Sequence, residues 1–239
     1  MFNDIDMQGV EEQQDRLGGS YTFDSGVYNG VIKLAYVTNA ANSKAKCVNT
    51  VIDIGGKDYT ERTWVLNKEG GSTYEKSGKK FMLPGFELIN DLCLLSTGLG
   101  LTEQKVENKV IKVWDPEAKA EVDKSMPVIT SILGKPITLA IQKVIENKQE
   151  KTDKGYADTN EKREINQTSK YFHTETRKTV VEIKKGPALQ IKDEDLFITK
   201  WAEKNAGVVL DKFKPVAGAM AGAAQSGTGA PKSKSLFGN

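Results

Sequence analysis

GVYNGVIKLAYV, residues 26–37, is the stretch from which the fold is read. Its even positions Tyr28, Ile32, Leu34 and Tyr36 fall on one face of an extended strand, and Gly30 stands where such a strand can bend. The turn-rich TNAANSK follows, and KCVNTVIDI (46–54) then alternates again, placing Val48, Thr50, Ile52 and Ile54 together. Gly55-Gly56-Lys57 is a hairpin signal, and DYTERTWVL (58–66) reads as the return strand. These runs predict a three-stranded antiparallel meander.

Working outward from the meander, NKEGGSTYEKSGKK (67–80) reads as a glycine- and lysine-rich loop closing on Phe81-Met82-Leu83-Pro84-Gly85. FELINDLCLLSTGLG (86–100) is apolar on most sides and reaches glycine at Gly98, which predicts a buried helix. VIKVW (110–114) reads as a short strand, 126–133 as a short helix, and PITLAIQKVIEN (136–147) as a further alternating strand. Residues 146–178 are charged and poorly periodic, and are expected to form a long loop or ribbon, a charged insertion. TVVEIKK (179–185) reads as a late strand and DEDLFITKWAEKN (193–205) as a last helix, with acidic residues in its first turn as the macrodipole favours.

Strands, a helix, then strands is the order of an OB-like β-barrel. The expected fold is therefore mainly β with helices, an OB-like barrel with a buried helix, then a C-terminal helix and a flexible tail. An α+β sandwich with the helix on one face is the alternative. Three regions are expected: an acidic N-terminal arm over 1–25, a folded domain over 26–214, and a Gly/Ala/Ser-rich tail over 215–239 that cannot bury a core. The tail ends in a small apolar hook, Leu236-Phe237.

At 38% hydrophobic and 28% charged, the 239 residues have the make-up of a globular protein with a generous polar share. No window approaches the roughly 18 apolar residues of a membrane span. The acidic start MFNDIDMQGVEEQQD lacks the apolar core of a signal peptide. Cys47 and Cys93 form no metal-spaced pair and are expected to be reduced and buried, so the expected compartment is the cytoplasm. Net charge is +2, but residues 1–25 hold six acidic residues against Arg16 alone, a balance of −5 that leaves +7 for the rest. An acidic arm on a basic body suits a protein whose partner is a polyanion, and a merely solubilising terminus fits equally well.

Catalytic signatures are missing. His173 is the single histidine, and HExxH, CxxC, GxxxxGK[ST], GxGxxG and GxSxG do not occur. His173, in YFHTETR, reads as a partly buried structural residue. The expectation is a protein that is no enzyme and uses no cofactor and no metal. What remains is binding. Residues 57–81 interleave cations with aromatic rings, as single-strand binding requires: Lys57, Tyr59, Arg62, Trp64, Tyr74, Lys76, Lys79, Lys80 and Phe81, with Lys68 among them. Arg62 and Trp64 fall on one face of their strand and Tyr59 and Thr63 on the other, so only one face can bind. Trp64 alone reads slightly better as a core residue. The second candidate surface, 143–185, mixes eleven basic with eight acidic residues, and only Tyr171 and Phe172 beside Lys170 stand out in it.

One stretch, GKKFMLPGFELINDLCLLSTGLGL, resembles the single-stranded-DNA-binding proteins of tailed bacteriophages. The residues that carry the resemblance are Lys79 and Lys80, then Leu83-Pro84-Gly85-Phe86, then Leu92-Cys93-Leu94-Leu95 and Gly98. It spans roughly residues 26–185. The resemblance implies an OB-fold protein that coats single-stranded DNA in phage replication and recombination, in the cytoplasm of the host. It also implies partners among phage replication, recombination or transcription proteins, reached through Leu236 and Phe237. The tail departs from the family's pattern, because its charges are Lys232 and Lys234 where the family carries acidic residues. The alternative is a non-enzymatic interaction module, a replisome or virion adaptor.

Overall fold

The computed structural model describes residues 22–115, 118–152, 155–186 and 191–216. Most of the arm, the tail, Leu236 and Phe237 lie outside the described residues. Among the described residues the structure is mainly antiparallel strands, with three α-helices. Strands β1 (Gly26–Asn39), β2 (Lys46–Ile54) and β3 (Lys57–Leu66) form the expected meander. Gly55 and Gly56, at φ 60° and 84°, supply the left-handed pair that a two-residue hairpin turn needs.

The first strand corrects one expectation. A bulge between Ile32 and Leu34 shifts the register of β1 against β2. Tyr28 and Ile32 face the core, but beyond the bulge Ala35 and Val37 take over that face. Leu34 and Tyr36 are therefore turned outward, as a bulge re-aims every side chain that follows it. Val48, Ile52 and Ile54 of β2 do meet in the core.

The 67–80 region is not a plain loop. It contains a separate hairpin, β4 (Thr73–Lys76) and β5 (Lys79–Met82), turning on Ser77 and Gly78 at φ 52° and 73°. Helix α1 follows over Pro84–Thr97, with Pro84 in its first turn and Gly98 closing it at φ 79°. Ile89, Leu92, Cys93 and Leu95 are buried against β3 and the late strands.

Strands β6 (Val106–Asp115) and β7 (Ala120–Ile129) make a long ribbon, hung on β1 at Tyr36 and Val128. The helix expected over 126–133 is instead the end of β7 and one 3-10 turn at Thr130–Ile132. The charged segment is a ribbon as well: β8 (Pro136–Thr152) pairs with β9 (Gly155–Phe172) along its length. Its charges neutralise one another across the strands, Arg163 with Glu146 and Lys148 with Glu161, both at 2.6 Å.

TVVEIKK forms no strand. Helix α2 (Val180–Lys184) occupies it, because Thr179 accepts from the Glu182 N–H while the Glu182 carboxylate accepts from the Thr179 N–H. Helix α3 (Phe197–Asn205) is the expected last helix, preceded by a 3-10 turn at Asp193–Asp195. A short strand, β10 (Leu210–Asp211), adds in parallel to β8.

The main sheet runs β3-β2-β1-β8-β9. Its two outer strands face one another without backbone hydrogen bonds, and side chains span the gap. Tyr59 Oη and Thr168 Oγ1 lie 2.9 Å apart, and Glu61 accepts from the Thr168 N–H at 3.1 Å. Asn166 clasps both backbone groups of Phe23 at 2.7 Å, so Phe23 and Ser25, at the end of the expected arm, are buried in the domain. The core fills the inner side of this sheet beneath α1; a second cluster of Ala140, Phe172, Leu196, Ile198 and Trp201 packs α3 on the outside of β8 and β9. No helix among the described residues is long and apolar enough to cross a membrane.

Candidate nucleic-acid interface

Strand β3 divides the candidate residues cleanly. Tyr59, Thr63 and Val65 point inward, and Arg62 and Trp64 point to solvent. Trp64 is 49% exposed, so it is no core residue. Tyr59 is only 3% exposed, with its ring edge-on to Phe23 and its hydroxyl held between Thr168 and Glu61. It cannot stack on a base, which corrects its place among the binding residues. The physical reason is the period of the strand: the charged pair Asp58 and Arg62 belongs outside, and Tyr59 lies in the opposite phase.

Two cross-strand rows lie on this outward face. Tyr36, Asn49 and Arg62 are register partners in one, Thr38, Cys47 and Trp64 in the next. A polar net ties the rows together. Asn49 donates to Thr38 Oγ1 at 2.9 Å and accepts from Arg62 Nε at 3.0 Å, and Thr38 Oγ1 lies 2.8 Å from Cys47 Sγ. Asn49 thus fixes the root of the guanidinium fork and leaves its two terminal nitrogens without a partner among the described residues. Burial pushes the Tyr36 hydroxyl pKa up, against the pull of the Arg62 charge beside it. Both cysteines are free and buried, and burial pushes the Cys93 thiol up to about 12.

The hairpin supplies the remaining candidates. Tyr74 and Phe81 are cross-strand partners, both exposed, with stacked rings 5.7 Å apart. By strand alternation Lys76 and Lys79 share their face, and Lys80 lies on the opposite one beside Glu75. Lys76, Lys79 and Lys80 are exposed and enter no ion pair among the described residues. The same holds for Lys44, Lys46 and Lys68 near the open end of the meander. Lys57 is exposed at the β2–β3 turn, remote in register from Trp64.

No protein-family model matches this chain, and no curated protein is significantly similar to it.

The second surface fares differently. Tyr171 and Phe172 are fully buried, one in each core cluster, and Lys170 is tied to the buried Asp91 at 2.7 Å. Neither aromatic residue is available to a ligand. His173 is half-buried, its Nδ1 accepting from the Thr176 N–H at 3.3 Å. It borders a cleft of about 810 Å³ between the end of α1 and α2, where Glu182 is saturated by Thr179 and the Phe197 N–H. Among the described residues no three His, Cys, Asp or Glu side chains are grouped to hold a metal ion.

Sequence reasoning missed Tyr36, Asn49, Lys44 and Lys46. Tyr36 was hidden by the bulge. Asn49 inside the apolar strand β2, and Lys44 and Lys46 at its start, carried no signal of their own, save that β2 returns antiparallel to the strand bearing Arg62 and Trp64.

Proposed function

We propose that this chain binds single-stranded DNA without sequence preference, coating and protecting strands during phage replication and recombination, with no chemistry of its own. The observation that carries the reading is the outward face of β1–β3. An exposed indole and a fixed guanidinium lie there in neighbouring rows. Lys44, Lys46 and Lys68 at the open end of the meander enter no ion pair among the described residues, and a hairpin with two stacked aromatic rings follows β3 in the chain. Cations that follow phosphates and rings that accept bases are the two requirements of sequence-tolerant binding. The strand order β3-β2-β1-β8-β9, with α1 lying across β3 and β9, supports reading the sheet as an OB-like, partly open barrel. In such barrels the face of the second and third strands takes oligonucleotides, and β2 and β3 carry Asn49, Arg62 and Trp64 here. The proposed compartment is the host cytoplasm, and the proposed further partners are phage replication, recombination or transcription proteins. Competition of a labelled single strand with unlabelled single-stranded and duplex DNA tests the reading. Displacement by single strands at concentrations where duplex is inert supports it, and failure of any single strand to bind at low salt overturns it.

One observation favours a second reading, a non-enzymatic adaptor. Val106, Val110 and Trp114 lie on one face of the β6–β7 ribbon, all exposed. Three exposed apolar side chains on one face, interleaved with Asn108 and Lys112, suit a mixed protein–protein contact. That reading requires that no oligonucleotide binds at moderate salt.

A further inference from the structure

Beside the Trp64 indole, on the side toward α1, lies an apolar cleft of about 400 Å³. Its walls come from three places that the fold ties together. Ala45 and Ala40 belong to the β1–β2 connection, Leu66 and Trp64 to the end of β3, and Leu83 and Pro84 to the entry of α1. The Lys44 N–H donates to the Lys68 carbonyl at 3.0 Å and Leu83 N–H to Ser72 O at 2.8 Å, so the connection, the turn after β3 and the base of the β4–β5 hairpin frame one opening. Gly85 closes the inner end: a Cβ there would lie 2.1 Å from the Trp64 carbonyl oxygen, so the helix can enter this close only as glycine.

The polar side chains among the lining residues can donate. Ser43 Oγ accepts from the Ala45 N–H, which leaves its own proton to give. Asn67 Oδ1 is taken by the Glu69 and Gly71 N–H groups, and its NH2 has no partner among the described residues. Lys68 adds an ammonium, and Lys44 and Lys46 stand nearby with no ion pair among the described residues. An apolar cleft lined by Trp64, with side-chain donors among its lining residues and cations nearby, is complementary to an anion whose body is a planar heterocycle carrying carbonyl oxygens.

We infer that this cleft is a nucleobase pocket, which takes one unstacked base of the bound strand against Trp64 and prefers bases with an exocyclic carbonyl, such as thymine, over adenine, which has none. The inference rests on the single-strand-binding reading and adds a defined subsite to it. The strand's phosphates stay on Arg62 and the lysines, so filling the pocket removes base contacts without removing counterion release.

The test compares wild type with Ala40→Leu, a substitution at a half-buried position on the pocket wall, using oligothymidine, oligodeoxyadenosine and an abasic oligomer of equal length. Melting temperature checks that the variant folds, and the abasic oligomer needs no altered protein. Expected results are a loss of roughly fivefold or more in oligothymidine affinity for Ala40→Leu with an unchanged salt slope, a similar loss for the abasic oligomer on wild type, and a thymine-over-adenine preference that shrinks in the variant. Self-stacking of the adenine strand is the same for both proteins and cancels in that comparison. If wild type binds oligothymidine but neither Ala40→Leu nor base removal weakens binding, the pocket is refuted and the single-strand reading stands. If wild type binds no oligomer at all, the reading itself fails and the pocket with it.

Discussion

Asn49 holds Arg62: the Asn49 side-chain oxygen accepts from Arg62 Nε at 3.0 Å, while its NH2 donates to Thr38 Oγ1 at 2.9 Å. The guanidinium is thereby aimed before any ligand arrives. Preorganised donors bind more tightly than mobile ones because less side-chain freedom is lost on binding. Asn49→Ala and Arg62→Ala should each weaken oligothymidine binding by about 1 kcal/mol. The double variant should bind scarcely more weakly than Arg62→Ala alone, because Asn49 acts through Arg62. Additive losses in that cycle would show that Asn49 has some other role.

The hairpin lysines act as charges. Replacing Lys76, Lys79 and Lys80 together with alanine should flatten the salt dependence of binding by a slope of about 2, at roughly 0.7 per phosphate contact on single strands. Thermal stability should stay within about 0.5 kcal/mol per position, since all three are exposed and enter no ion pair among the described residues. Unchanged affinity and slope would move the phosphate track off the hairpin.

Gly85 is where the helix meets the strand. Alanine would place its Cβ 2.1 Å from Trp64 O and 3.0 Å from Thr63 Cγ2, so strand or helix must shift. Gly85→Ala should cost about 1–3 kcal/mol in denaturant unfolding and weaken oligothymidine binding, because the displaced strand bears Trp64. Leu92→Ala, at a fully buried site on the same helix, should cost about 2–5 kcal/mol. It should leave binding by the folded protein intact. Equal effects on binding from the two would break the link between helix entry and interface.

Glu61 gives the fold a pH dependence. Burial raises its pKa, against hydrogen bonds from Thr168 and Tyr59 that favour the carboxylate. The native state therefore keeps this proton to higher pH than the unfolded chain, and its contribution to stability declines as pH rises from the ordinary glutamate value through the raised one. Urea unfolding across that window should show Glu61→Gln gaining on wild type as pH rises, with a constant difference above it. Parallel curves would mean that Glu61 ionises like an exposed glutamate.

Much of this architecture was legible. Alternation placed all three meander strands, and Gly98 marked the end of α1. The bulge after Ile32 was not, because a one-residue register shift leaves no trace in an apolar pattern that continues on both sides of it. Thr179-Val-Val-Glu182 misled through its β-branched pair, although Thr and Glu at that spacing are themselves the signature of a capped helix start. The short strands β4 and β5 have no apolar face to bury and so looked like loop. At the site, alternation separated Tyr59 from Trp64. It left open which of the two faces meets water and favoured the core for Trp64; Asp58 and Arg62, in phase with the tryptophan, carried the unused signal that this face is the outer one.

The most direct test of the central claim is titration with oligothymidine, following tryptophan emission in a Trp114→Phe background at two salt concentrations. Trp64 is then the exposed indole, with Trp201, on α3, buried with Ala140 and Phe172 of β8 and β9. The account predicts strong quenching at low salt and an affinity that falls steeply as salt rises. Emission that does not respond to the strand even at low salt would contradict it.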